Sequence, residues 1–266
     1  MGVLDLGRSG IDYDLCRYGD SRVRFRGPPR ELDGDYVGFV GGTDTFGLFV
    51  PAPFPDLVED EIGLACVNLG AVNAGADLFL NDPATQAVIR GARVIVLQVM
   101  GVQNLSNAYY SVHPRRNDRF LRASDALVSL FPEIEFTEFH YTRHMLSTLE
   151  AVSRGRYGVV LRELRATWER RMAGLIEAAG GPVILIRLSE GAAGGALADG
   201  AMLRRLADKV SAIVEVEAEP DPDPTWGMVF HPHEAAAARE CLGAAAHDRA
   251  AEALIGPLTA ALSRGA

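Results

Sequence analysis

Tyr36-Val37-Gly38-Phe39-Val40-Gly41-Gly42-Thr43-Asp44-Thr45-Phe46-Gly47 runs from an unbroken apolar segment straight into a glycine- and hydroxyl-rich turn. A short apolar run without polar alternation reads as a strand buried on both faces, the pattern of a parallel sheet. The glycines of the turn let the backbone bend sharply and approach a ligand, and its hydroxyls and free N–H groups suit an anion or a carbonyl oxygen. No lysine follows the glycines, so the stretch is not a Walker loop. An ordinary tight strand-to-helix turn would look the same in isolation.

Outward from this stretch, four more runs rich in valine and isoleucine recur: Ala65 to Leu69, Arg93 to Val99, Pro182 to Leu188 and Ser211 to Val216. Helical patterns separate them, so strand and helix alternate, which predicts an α/β fold. The expected architecture is a three-layer α/β/α, doubly wound, five-stranded parallel sheet in the flavodoxin-like order 2-1-3-4-5. Asn81-Asp82-Pro83 reads as a cap and first turn opening a helix to about Arg90. Tyr157 to Ala179 carries apolar residues on one helical face before Gly180-Gly181 ends it, and Pro232 to Leu254 reads as one alanine-rich helix. The connection after the third strand is long. Residues 102–181 are expected to form a helical insertion with three helices, residues 1–34 an N-terminal extension, and residues 1–266 a single domain. Ligands of such sheets bind beyond the carboxyl ends of the strands, where the strand order reverses, here between the first and third strands.

The net charge is -9, and Lys209 is the single lysine. That balance argues against a nucleic-acid binder, which needs a basic face. Cys16, Cys66 and Cys241 are odd in number and far apart, so neither a disulfide framework nor a zinc site is expected. No segment resembles a signal peptide or a membrane span, so a cytoplasmic protein without membrane contact is expected. His140 and His144 could share a helix face, but the HExxH pattern is absent and a chance pair is the expected reading. No metal and no cofactor is implied, and self-association is left open.

Four blocks in chain order resemble those of the SGNH (GDSL-like) hydrolases. Phe39 to Gly47 is similar to the first block, with Thr43 at the serine position and Gly42 in place of the aspartate. Val67-Asn68-Leu69-Gly70, with Asn73 and Gly75, resembles the second, and Gly101-Val102-Gln103-Asn104 resembles the third. Met228-Val229-Phe230-His231-Pro232 resembles the last, with Met228 where the orienting aspartate belongs. The chain is also similar to an uncharacterised bacterial domain family within that superfamily. The resemblance implies Thr43 as nucleophile, His231 as base, and the Gly70 N–H with Gln103 and Asn104 as oxyanion donors. Asp221 or Asp223 would orient His231. The implied reaction is removal or transfer of an O-acyl group on a small molecule or carbohydrate, with a threonine in place of the serine.

Around that centre Asp44, Thr45, Asn73 and Asn107 are candidate substrate-binding residues. Arg115, Arg116 and Arg119 join them, with His113 and Arg143 as neighbours, since arginines clamp phosphate, sulfate or carboxylate through bidentate contacts. They point to an anionic substrate. The competing expectation is a non-catalytic module for an anionic sugar, nucleotide or coenzyme A. Missing carboxylates at Gly42 and Met228 favour it. Transfer of sulfate or phosphate is disfavoured because the glycine loop supplies no lysine.

Overall fold

The computed structural model describes residues 10–188, 198–217 and 222–264. Among these, the strands in chain order are β1 (Val37–Gly41), β2 (Cys66–Gly70), β3 (Val94–Gln98), β4 (Tyr110–His113), β5 (Arg116–Ala123), β6 (Val183–Leu188) and β7 (Ala212–Val216). The five apolar runs form one all-parallel sheet in the order β2-β1-β3-β6-β7, the expected reversal lying at β1. Val37 pairs with both Cys66 and Val94, so β1 is central to that end of the sheet.

The helices are α1 (Thr43–Phe46), α2 (Phe54–Ile62), α3 (Ala76–Leu80), α4 (Pro83–Gly91), α5 (Asp125–Leu130), α6 (Thr142–Val152), α7 (Arg154–Ala178), α8 (Gly200–Leu206), α9 (Ala235–Ala238) and α10 (Ala244–Ser263). Strand side chains alternate between faces. Val67, Leu69, Ile95, Leu97 and Leu185 share one core with Phe79 of α3, Val88 of α4, Trp168 and Met172 of α7 and Met202 of α8. Phe39, Val94, Val96, Ile184 and Ile186 share another with Phe54 and Val58 of α2 and Leu254 and Leu258 of α10. The result is the three-layer sandwich.

Asp82 caps α4 by accepting the Thr85 N–H, as its sequence predicts, and Ser153 caps α7 the same way through the Arg156 N–H. Two expectations need correction. Residues 102–181 are not wholly helical: three helices are present, but an antiparallel β4–β5 hairpin precedes them. Asn107 starts the hairpin by accepting the N–H groups of Tyr109 and Tyr110, while Tyr110, Val112 and Phe120 bury its inner face. Likewise, residues 232–254 are not one helix. A 3-10 turn at Pro232–Glu234 and the short α9 end before α10 begins. Ala238 and Leu242 bury into different cores, so the chain must turn between them.

Residues 10–34 are part of the body. Cys16 and Phe25 form an antiparallel bridge. Beyond it the buried Arg26 guanidinium donates to the carbonyls of Phe46, Gly47, Val50 and Pro51. It props the loop that follows α1 from below. No helix among the described residues is long and apolar enough to cross a membrane.

Candidate functional site

Beyond the carboxyl ends of β1 and β3 lies a cavity of about 380 Å³. Its floor is the β1–α1 turn, organised by one side chain, Gln98, at the last position of β3. Gln98 Oε1 accepts the N–H of Gly42 at 2.8 Å, the N–H of Thr45 at 3.3 Å and the Thr45 hydroxyl at 2.7 Å. Its Nε2 donates to Asp44 Oδ2 at 2.7 Å. A Cβ on Gly41 would sit 2.4 Å from Gln98 Oε1, so only glycine admits this hub. From β2, Asn68 Nδ2 donates to the Thr45 carbonyl, fixing the same turn from the other side.

Thr43 and Asp44 face the cavity from this floor. The Thr43 hydroxyl accepts the Asn73 N–H at 3.0 Å and donates to Asn73 Oδ1 at 3.5 Å. Asn73 holds a left-handed backbone, φ 58°, a conformation asparagine tolerates better than most residues. Its carbonyl accepts Asn104 Nδ2 at 3.1 Å. Burial pushes the Asp44 carboxyl up to about 6, against the opposing hydrogen bond from Gln98.

The roof comes from elements far along the chain. β5 leaves register over residues 117–119: His113 faces Arg116, yet the neighbouring Val112 faces Phe120. Such bulges re-aim side chains. Asn117 turns inward, accepting the Gly75 N–H and donating to the His113 carbonyl. Asp118 reaches the cavity wall, and burial raises its carboxyl while Arg116, Arg119 and His113 work against that shift. The Arg119 guanidinium lies over the Tyr141 ring, 4.6 Å from its centroid. Helix α6 adds Thr142, Arg143, His144 and Ser147, and Glu240 and Cys241 close the remaining side. Arg143 meets Glu240 at 3.7 Å across the mouth. The Cys241 thiol is pushed up to about 12 by burial and by the nearby Asp44 charge.

Of the residues singled out from sequence, Thr43, Asp44, Asn73, Gln103, Asn104 and Arg143 line this cavity. Thr45 lies beneath it, spent on Gln98. The Gly70 N–H donates to Asn68 Oδ1 at 2.8 Å and is therefore not a free oxyanion donor. His231 is exposed and absent from the cavity wall; its backbone N–H donates to the Glu234 carboxylate, its carbonyl accepts the Glu234 N–H, and its ring stacks on His233. Asp223 accepts from Thr225, and Asp221 lies outside the described residues. Asn107 is engaged in its own turn. His113, Arg115, Arg116 and Arg119 sit on the hairpin beside the cavity rather than in its wall.

The residues missed are Gln98, Asp118, Tyr141, Thr142, Ser147 and Glu240, with His144, whose place at the mouth the helical pairing with His140 did not reveal. Gln98 alone carried a usable signal, as the one polar residue closing an apolar strand run. Among the described residues no cluster of three or more His, Cys, Asp or Glu is arranged to hold a metal ion.

Residues 1–262 match the family described as a domain of unknown function (DUF6473). No curated protein matches the chain.

Proposed function

The chain belongs to the DUF6473 family, and from the chemistry of its cavity we propose that it is a binding module for the uncharged, hydroxyl-bearing part of a small molecule, carbohydrate-like in character. The supporting observation is the make-up of the wall. Thr43, Asn73, Gln103, Asn104, Thr142 and Ser147 offer neutral donors and acceptors among apolar residues such as Leu48, Val72 and Met100. Gln103 has no hydrogen-bond partner for its side-chain amide among the described residues, so that amide is available to a ligand. The ionisable wall groups are mainly acidic, Asp44, Asp118 and Glu240 against Arg143 and His144, which disfavours an anion inside the cavity itself. Neutral polar groups converging in a largely apolar cleft are the usual make-up of a small-molecule site.

Binding without serine-type turnover is favoured because the implied triad is dispersed: Thr43 bonds to Asn73, and His231 lies outside the cavity wall, its ring stacked on His233. In a thermal-shift screen of uncharged sugars and polyols, at least one should raise Tm, and Gln103→Leu should remove that shift while leaving the unliganded Tm nearly unchanged. A shift that persists in Gln103→Leu overturns the assignment of that amide, and no shift with any uncharged polyol overturns the reading.

A second reading, O-acyl hydrolysis or transfer, keeps one favourable observation: the Thr43 hydroxyl and the His144 imidazole line the same cavity. It requires an acyl ester to turn over, and Thr43→Ala to abolish that turnover with the fold intact. Equal rates in the variant remove it.

A further inference from the structure

The hairpin carries charge that the cavity reading leaves unused. Around Asp118, at the cavity edge, stand His113, Arg116 and Arg119, each near enough to act on its carboxyl. Arg115 adds an exposed guanidinium at the hairpin turn. Among the described residues none of these three arginines forms an ion pair, although the chain is acidic overall. Several other arginines are matched, Arg93 with Asp35, Arg171 with Asp77, Arg187 with Glu215 and Arg205 with Glu169; what sets the hairpin apart is three guanidiniums on one short segment beside the cavity. The bulge at 117–119 supplies the geometry. By turning Asn117 inward onto Gly75, it places Asp118 in the cavity wall and leaves Arg116 and Arg119 on either side of it. The Nε of Arg119 is buried and has no hydrogen-bond acceptor.

We propose that this hairpin rim binds the phosphate group of a phosphorylated ligand whose uncharged hydroxyl-bearing part occupies the cavity. The proposal rests on the cavity reading for the ligand's other end. Guanidinium groups suit the task because their planar forks match phosphate oxygens in pairs and are weakly hydrated. The single carboxylate among them is outnumbered by the three arginines. A phosphate here would also supply an acceptor close to the Arg119 Nε.

The test is calorimetric titration of the full chain with inorganic pyrophosphate. Binding should be measurable, and it should weaken about tenfold in Arg115→Gln/Arg116→Gln, as expected for losing charge-assisted contacts. Those side chains are not in the core, so the pair should fold. Arg119→Gln should weaken binding as well, with circular dichroism confirming the fold. Arg204→Gln, on the distant α8, should bind like the parent. Absence of binding at millimolar pyrophosphate, or equal weakening in Arg204→Gln, would overturn the rim. Gln103→Leu should leave pyrophosphate affinity unchanged. If it does, while no uncharged polyol binds, the rim stands and the cavity reading alone falls.

Discussion

At the scale of single residues, the site depends on Gln98 choosing one orientation. Its carbonyl oxygen collects three donors from the β1–α1 turn, so its NH2 must face Asp44. Asp44 is thereby given a neutral donor instead of a cation, and burial leaves its carboxyl at about 6, well above its ordinary 3.8. An acid whose folded pKa is raised binds its proton more tightly in the folded state. Its contribution to stability is therefore present at low pH and is lost as pH rises from about 4 to 6. Asp44→Asn escapes that loss. In urea denaturation its stability relative to the parent should climb across this window by at most about 3 kcal/mol and level off above pH 6. Parallel pH curves for the two proteins would show that Asp44 titrates normally. The candidate site was half legible in the sequence for a related reason. Thr43 and Asp44 open the helix after β1, and Asn73, Gln103 and Asn104 lie in the segments after β2 and β3, where topology alone predicts a ligand. His144 arrives from α6 and Glu240 and Cys241 from the turn between α9 and α10, and no local pattern encodes how those elements pack. The Gly70 N–H and the His231 ring failed as site groups because each found a nearer partner, the Asn68 amide and the His233 ring.

Among the elements, the sheet strands were readable because burial on both faces, complete in β1, β2 and β3, demands continuous apolar runs. The hairpin was not, because its buried positions Tyr110, Val112 and Phe120 are spaced by a bulge and match no simple period. The N-terminal segment gave no signal either, yet it determines how firmly the cavity floor is held. Arg26 places a nearly buried guanidinium among four carbonyls of residues 46–51, and burial lowers its pKa. Phe49, inside that loop, has φ 68°, which is costly for an aromatic residue. It is held by donating its N–H to the Tyr13 hydroxyl and accepting the Val229 N–H. Both clamps act on the loop that follows α1. Arg26→Met should therefore cost about 3 kcal/mol in chemical denaturation, since it strips donors from buried carbonyls. Arg26→Lys should recover little of this, because one ammonium cannot span four acceptors. A loss below about 0.5 kcal/mol, the range of ordinary surface substitutions, would show that water replaces the guanidinium.

On the scale of the whole molecule, the apolar join between the C-terminal helix and α2 includes one buried imidazole. His247 of α10 accepts the Phe54 N–H at 3.0 Å through Nδ1 and stacks on the Phe54 ring. Burial, with the Arg26 charge adding to it, lowers its pKa from 6.5 to about 3, so it is neutral in the folded protein. A base whose folded pKa is depressed contributes stability that is complete above its unfolded value and is lost as pH falls from 6.5 toward 3. Asp44 and Asp56, both raised to about 6 mainly by burial, act in the opposite sense over much of the same range. The parent's stability between pH 4 and 6.5 is thus a balance, with two carboxyls favouring the fold on acidification and one imidazole opposing it. His247→Asn keeps an acceptor near the Nδ1 position and removes the opposing group. The variant should be less stable than the parent at pH 7, because the lost ring leaves a void beside Phe54. On acidification to pH 4 it should regain about 3 kcal/mol relative to the parent, measured by urea denaturation at each pH. If the gap between the two stays constant from pH 7 to 4, His247 is not held neutral, and the join between α10 and α2 rests on apolar contact alone.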